Sequence, residues 1–431
     1  MARTLEQWLD YQTQVHPQSI ELGLERPLRV LERLGFERPA LPVITIAGTN
    51  GKGSVAAYCE AMLLAAGRRV GLFTSPHLRD YRERIRIDGS MVEAARLVAA
   101  FERIEAARAE ISLTFFEFNA LAAFLLFEEA RLDAWVLEVG MGGRLDAVNA
   151  IDPSVAVVVS IGLDHQEYLG STLDSLAREK AGIFRRGVPA VLGSLERPPA
   201  LEACARAVGA RLKRLGEEFR FERAGDAWRF EGLRWRLEQL PNPALKGARQ
   251  WQNAATALAA LEELPATAGI DTAAAARGLT QVRLPGRFQI VAPRRAGEPA
   301  WILDVAHNPA AAAVLAQNLI EMPARGRTLA VCGILGDKDA LGVAQALSGS
   351  IDAWWIASTE GARGRDGAAL AALIARCVRG PVASAADVAA ACAEARAQAR
   401  PGDRIVVFGS FHVVGPALEW LEAHGLLPAD S

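Results

Sequence analysis

The sequence predicts an α/β protein built from two parallel-sheet domains. Short β-rich apolar runs alternate with longer helical patterns, and a glycine-rich turn joins the first of those runs to a helix. The alternation then restarts after a stretch crowded with Pro, Gly and Arg near residue 290. At 431 residues the chain exceeds one ordinary domain. A content of 51% hydrophobic and 23% charged residues suits large buried cores. Lys and Arg number 48 against 50 Asp and Glu, a net charge of −2, so no whole-surface attraction to nucleic acid or anionic membrane is expected. Cys59, Cys204, Cys332, Cys377 and Cys392 are scattered without a Cys-x-x-Cys pair, which reads as reduced thiols, not as a disulfide framework or zinc site. Neither a secretory leader nor a bilayer-length apolar run is visible, so a soluble cytoplasmic protein is expected.

The elements follow in order. Pro42–Ala47, Val70–Thr74, Ala134–Val139 and Val155–Ile161 read as buried strands, and Gly53–Ala66, Met91–Ala107 and Phe116–Glu129 as helices. From Glu217 to Leu240 apolar and charged residues alternate around Ala-Gly-Asp and Glu-Gly turns, the pattern of a small antiparallel meander. Trp301–Val305, Thr328–Cys332, Ala353–Ala357 and Arg404–Gly409 are the strands of a second series, with Ala-rich helices between them. The expected domains are therefore 1–290 and 300–431, joined by a linker over 290–300.

The sharpest local signal is Gly48-Thr49-Asn50-Gly51-Lys52-Gly53-Ser54 between a strand and a helix. Such a turn presents backbone amides and a helix N-terminus to phosphate. Lys52 suits the β- and γ-phosphates and Ser54 suits Mg²⁺. The spacing departs from the strict Walker pattern, because Gly53 separates the lysine from the hydroxyl residue.

Further polar residues fall at strand ends, where ligands bind in parallel sheets. Glu138 closes one strand and opens a glycine-rich turn leading to Asp146, while Asp164 and His165 follow the next strand. Thr74-Ser75-Pro76-His77 follows an earlier one, and Arg79, Arg82, Arg84 and Arg86 beyond it fit either guidance of an anionic substrate or a solvated loop. Read alone, Glu138 also fits a solvated strand end, and Lys180 in Arg-Glu-Lys-Ala-Gly a surface lysine. Asp304, His307 and Asn308-Pro309 in the second series fit plain capping chemistry as well as a site.

Taken in order, GTNGKGS, TSPHL, SLTFFEF, LEVGMGGRLDAVN, SIGLDH, REKAGIF, LPGRFQ and DVAHNP resemble the Mur-ligase superfamily, and within it the bacterial bifunctional dihydrofolate synthase/folylpolyglutamate synthases. The resemblance runs from SIELGLERP to VVFGSFHVVG, nearly the whole chain, and the GTNGKGS form is the family's own. It implies a P-loop Mur-ligase-like ATPase domain with a small antiparallel β insertion, followed by a Rossmann-like glutamate ligase domain. Thr49, Asn50, Gly51, Lys52, Gly53 and Ser54, with Asn253, Arg287 and Asp304, are then expected to bind ATP. Ser54, Ser75, Glu138 and His165 are the implied magnesium positions, and Lys180 matches a lysine carbamylated in the superfamily. Ile20, Glu21, Leu22, Gly23, Thr114, Phe115, Phe116, Glu117, Leu145, Asp146 and Ala147 are the implied folate-binding set. His307 falls in the segment near the incoming glutamate, and Lys52, Lys180, His165 and His307 are the implied catalytic group.

The activity implied is ATP-dependent addition of L-glutamate to dihydropteroate and to tetrahydrofolate polyglutamates, in a cytoplasmic monomer without nucleic-acid or membrane partners. A single-activity folylpolyglutamate synthase, another Mur-type ligase and a P-loop nucleotide switch are the rival readings. TFFE and GRLDA resemble the dihydropteroate-binding form.

Overall fold

The computed structural model describes residues 3–265, 270–295, 297–361 and 363–427. They divide into two compact units: Met1–His77 with Arg82–Ala244 and Trp251–Val282, and Leu78–Tyr81 with Leu245–Gln250 and Arg283–Ser431.

The first unit is organised by strands β1 (Val43–Ala47), β2 (Val70–Phe73), β3 (Ile85–Ile87), β4 (Ser90–Met91), β5 (Ala134–Glu138), β6 (Val155–Val158), β7 (Pro189–Leu192) and β8 (Arg211–Arg214). They form an eight-stranded sheet in the order β4-β3-β2-β5-β1-β6-β7-β8. β2 through β8 along that order are parallel neighbours, while β3 and β4 add an antiparallel edge. Every residue of β1 and β5 is buried, as expected of central strands covered on both faces. Helices Lys52–Ala65 and Phe115–Ala130 supply much of that cover. The second opens on a capping box, Thr114 with Glu117, that satisfies backbone donors at its first turn.

The region read as one helix over Met91–Ala107 begins differently. Asp88 and Gly89 both have positive φ (+52° and +79°) and turn β3 back into β4, so Met91 is a strand residue and the helix starts at Ala94. An Asp-Gly pair between short apolar runs is a hairpin signal, and it prevails here over the helical spacing that follows.

Strands β9 (Arg220–Ala224), β10 (Ala227–Glu231) and β11 (Arg236–Pro241) form the expected antiparallel insertion as a separate three-stranded sheet. The buried Glu262 carboxylate accepts the amides of Leu233, Arg234 and Trp235 at 3.3, 2.6 and 2.6 Å and pins the β10–β11 turn to helix Gln250–Glu262.

The second unit holds β12 (Gln289–Val291), β13 (Ala300–Asp304), β14 (Thr328–Cys332), β15 (Ala353–Ala357), β16 (Val382–Ala385) and β17 (Arg404–Phe408), in the order β12-β13-β17-β14-β15-β16. Alternation along these strands makes two cores. Trp301, Leu303, Val331 and Val407 pack with Val413 and Leu421 on one side, and Ile302, Ala330, Val406 and Phe408 with Leu315 and Val343 on the other. The expected linker over 290–300 is corrected here: the last crossing from the first unit to the second falls between Val282 and Arg283, and β12, paired antiparallel with β13, already lies in the second unit. Among the described residues no helix is long and apolar enough to cross a membrane.

Candidate active site

The P-loop grows out of β1. Gly51 carries φ +88° at the N-cap, and a Cβ there would lie 2.9 Å from Val159 Cγ1 and 3.0 Å from Asn253 Oδ1. Only glycine fits that bend, and the helix starts at once with Lys52. The loop is laced to the segment after β6. Thr49 N donates to Ser160 O (2.9 Å), Asn50 N to Ser160 Oγ (3.0 Å) and Gly162 N to Thr49 Oγ1 (2.9 Å). The loop shape is therefore set by protein contacts before any ligand arrives. Asn253, a sequence-predicted ATP residue, lies in the first unit against this bend. Gln252 beside it donates to Gly193 O (2.6 Å) and holds its helix to the strand end after β7.

Two lysines converge on this loop. Lys52 Nζ donates to Gly48 O at 3.2 Å and Lys180 Nζ donates to the same oxygen at 3.3 Å. Lys180 is only 4% exposed, near the end of helix Leu173–Ala181. Burial, then the charge of Lys52, push its amine down to about 7, against weaker opposite pulls from Asp164, Asp146 and Glu179. The surface-lysine alternative is thereby excluded. Packing explains the placement: a Cβ on Gly143 would fall 2.9 Å from Glu179 O and 3.0 Å from Lys180 O. The glycine-rich turn after Glu138 is thus what lets this helix approach. Arg144 reinforces the contact, donating its amide to Glu179 O and its guanidinium to the Glu179 carboxylate at 2.8 Å each.

The register of β2, β5 and β1 aligns their carboxyl ends, Phe73 opposite Leu137 and Ile46 opposite Glu138. Glu138 is buried and its Oε2 accepts the Ser75 amide at 3.3 Å. Ser54 is buried in the first turn of the P-loop helix. His165, in the left-handed region at φ +52°, caps the short helix Gln166–Leu169, with its amide held by Asp164 at 2.9 Å. Glu138 and the Ser54 and Ser75 hydroxyls are hard oxygen donors of the kind magnesium takes. No group of three or more His, Cys, Asp or Glu suited to a metal exists among the described residues.

The implied folate residues come together from three segments. Gly23 N donates to Leu145 O at 3.0 Å, and Glu117, fixed by its capping box, receives the Arg26 guanidinium that also binds Glu21. Phe116 seats on Gly140, where a Cβ would overlap its ring, and packs tilted against Phe73 with ring centroids 5.7 Å apart. Asp146 is buried at the start of the turn Ala147–Ala150 and accepts the Met141 and Val148 amides at 2.9 and 3.0 Å. Burial pushes its carboxyl up to about 7, outweighing those hydrogen bonds and Lys52.

The expected basic stretch is not a solvated loop. Arg84 is buried, lies 5.4 Å over the Phe115 ring and donates to His77 Nδ1 at 2.8 Å, while Arg86 pairs with buried Glu60. In the second unit Arg79 pairs with Glu422 at 2.6 Å.

The second unit has a cluster of its own at the end of β13. Asp304 accepts the Phe288 and Ala306 amides at 2.9 and 2.8 Å, and burial raises its carboxyl despite Arg287 nearby. Arg287 lies 5.1 Å over the Phe411 ring. His307 Nδ1 is 2.8 Å from Val305 O, and because a carbonyl only accepts, that nitrogen carries the proton. Asn308 caps helix Pro309–Glu321 through the Ala311 amide, so the capping reading holds for Asn308 and Pro309. Ser160 and Arg26 were not anticipated from sequence. A serine directly after an apolar strand and an arginine opening a helix are too common to stand out.

A phosphate loop on a parallel sheet, a second lysine over it and a following α/β unit define a nucleotide-using ligase of the Mur type. The Mur ligase middle domain matches residues 46–192, and the Mur ligase glutamate ligase domain matches residues 286–411. The Escherichia coli (strain K12) dihydrofolate synthase/folylpolyglutamate synthase is 43% identical over 98% of this chain and 96% of its own length. The structure of E. coli FolC in complex with DHPP and ADP is similar with a TM-score of 0.92, 42% identity and coverage of 98% of this chain and 99% of that one. The bifunctional enzyme of Yersinia pestis, complexed with AMPPNP and Mn ion, gives 0.89 and 43%, over 97% of this chain and 98% of that one. The chain belongs to the dihydrofolate synthase/folylpolyglutamate synthase family.

Proposed function

We propose that this chain joins L-glutamate to dihydropteroate, giving dihydrofolate, and to the γ-carboxylate of tetrahydrofolate and its polyglutamates, converting ATP to ADP and phosphate. The observation carrying this reading is the convergence of Lys52 and Lys180 on the Gly48 carbonyl, beside the strand end that bears Glu138. Close similarity to bifunctional enzymes over nearly the full length supports it.

Carboxylates do not acylate amines unaided, because oxide is a poor leaving group. The folate carboxylate attacks the γ-phosphorus of ATP, ADP departs, and an acyl phosphate results. The amine of glutamate then attacks the acyl carbon, a tetrahedral intermediate forms, and phosphate leaves with the C–O bonding pair. Lys52 and the amides of residues 49–54 hold the phosphates and meet charge as it gathers on the transferring group. Thr49 and Asn50, locked to Ser160 and Gly162, keep that cradle rigid. His307 carries its proton on Nδ1, so in the neutral ring Nε2 holds the lone pair that receives a proton from the α-ammonium of glutamate. Asn253, Arg287 and Asp304 belong to ATP recognition, and residues 20–23, 114–117 and 145–147 to the folate.

Magnesium would be held by Ser54, Ser75, Glu138 and His165, and would offset phosphate charge there. Lys180 would join that set as its carbamate, which would replace a cation by a carboxylate with two hard oxygens. Addition of CO₂ needs the neutral amine, and the lowered basicity of Lys180 supplies it near neutral pH, with release of one proton. We assign the protein to the cytoplasm as a monomer.

The test is phosphate release by the purified protein with ATP and Mg²⁺. Release that requires glutamate, with either dihydropteroate or tetrahydrofolate as acceptor, is expected. Release with neither acceptor points to the nucleotide switch instead. Activity with tetrahydrofolate alone reduces the assignment to a single-activity enzyme.

A further inference from the structure

The folate-binding set lies on three stretches of chain far apart in sequence, and a pocket assembled that way needs something to hold its walls in register. Arg26, at the start of helix Glu25–Arg33, meets that need. Its Nε lies 3.2 and 3.3 Å from the two Glu117 oxygens and its Nη2 donates to Glu117 Oε1 at 2.9 Å. Its Nη1 reaches the Glu21 carboxylate, and Nη2 also donates to the Glu21 carbonyl at 2.9 Å. One guanidinium therefore grips the side chain of one folate segment and both the side chain and backbone of another. Both carboxylates are further committed: Glu117 Oε2 accepts the Thr114 amide at 2.8 Å, and Glu21 Oε2 lies 3.1 Å from His16 Nε2. The third segment joins through Gly23 N and Leu145 O, three residues before Arg26 along the chain.

The Glu117 arm of the network is shielded from solvent, whereas the Glu21 side chain is 40% exposed. Glu117 is 3% exposed and the Arg26 side chain 20%. Pairing with the carboxylates outweighs burial and holds Arg26 more basic than usual, so it stays charged. Planar, forked donation to two partners is geometry that a lysine cannot reproduce.

We infer that Arg26 is a positioning residue for the folate substrate, holding residues 20–23 and 114–117 in the arrangement the pterin-bearing substrate requires. This rests on the folate reading of those segments under Proposed function. The test compares Arg26→Gln, Arg26→Lys and Arg26→Ala with the parent enzyme, varying dihydropteroate, ATP and glutamate in turn. Expected is a rise of at least tenfold in KM for dihydropteroate, with KM for ATP and glutamate within twofold and a smaller change in kcat. Arg26→Lys should be little better than Arg26→Gln, and guanidinium ion should lower the raised KM of Arg26→Ala. Thermal unfolding with and without ADP checks that the variants fold and still bind nucleotide.

An unchanged dihydropteroate KM in a folded Arg26→Gln protein overturns the proposal, and so does an equal rise in all three KM values. If Arg26→Ala is too unstable to assay, Arg26→Gln and Arg26→Lys decide. Asp146→Asn separates the two levels of inference. If Asp146→Asn weakens dihydropteroate use and Arg26→Gln does not, the pocket reading survives and the role of Arg26 fails. If neither variant affects dihydropteroate, the pocket reading itself is wrong and the proposal falls with it.

Discussion

Lys52 and Lys180 end at the same carbonyl oxygen but come to it from opposite ends of two helices. Lys52 is the first residue of its helix, where the dipole opposes a cation and welcomes an anion. Lys180 lies in the last turn of its helix, where the dipole favours a cation by about 0.3–1 kcal/mol. Burial and then the charge of Lys52 nevertheless push its amine down to about 7, below the usual 10.5. A lysine's chemistry is thus decided by what closes over it more than by its place on a helix. Lys52 opens its helix beside the glycine-rich turn, and Lys180 is a buried amine of lowered basicity.

That contrast can be broken most directly at Lys52. Lys52→Ala should lower kcat/KM for ATP on the order of 10³-fold or more, the scale on which a single cation acts in phosphoryl transfer. Its melting temperature should stay close to the parent's. Near-normal phosphate release by the folded variant would remove Lys52 from the cradle.

Lys180→Ala should lose about 10²-fold in turnover, comparable to losing a ligand or its support at a metal site. A short carboxylic acid should restore part of that loss, whereas the same acid should leave Lys52→Ala unimproved. Equal rescue of both variants, or of neither, would erase the distinction drawn between them.

Asp146→Ala addresses the neighbouring carboxylate. An increase of about tenfold in KM for dihydropteroate, the size of one lost polar contact, is expected with ADP affinity unchanged. Loss of ADP binding with normal dihydropteroate use would move Asp146 to the nucleotide side.

Stability gives a separate readout of the buried amine. With its folded value depressed to about 7 against 10.5 when unfolded, Lys180 binds fewer protons folded than unfolded between those limits. Its penalty is therefore full below about pH 7 and fades as pH rises toward 10.5. In CO₂-free buffer Lys180→Met should exceed the parent in stability, with the gap widest below pH 7 and closing upward. Urea unfolding at pH 6.5 and 9.5 measures this, and a gap that widens with pH would contradict the burial assigned to Lys180.

Much of this protein is local enough to be legible in its sequence. β1, β5 and β14 are short apolar runs whose burial follows from composition, and GTNGKGS announces its turn because its glycines serve backbone geometry at that very place. Glu138 and His165 could be placed at strand ends for the same reason. The edge strand β8, Arg-Leu-Lys-Arg, carried no such signal, since an edge needs only one buried face and tolerates charge. Nor did the β12–β13 hairpin, which depends on a partner strand, and its pairing moved the expected linker into the second unit. Lys180 is the sharpest instance. Arg-Glu-Lys-Ala-Gly states a polar helix end and nothing more, and the lysine's altered basicity exists only because Gly143 admits its helix against the turn that follows Glu138. Propensity and turn chemistry act between neighbours along the chain, so sequence determined the elements and the phosphate loop. Desolvation and charge coupling act between residues distant along the chain, so only the tertiary structure decided which lysine is buried and which arginine ties Glu21 to Glu117.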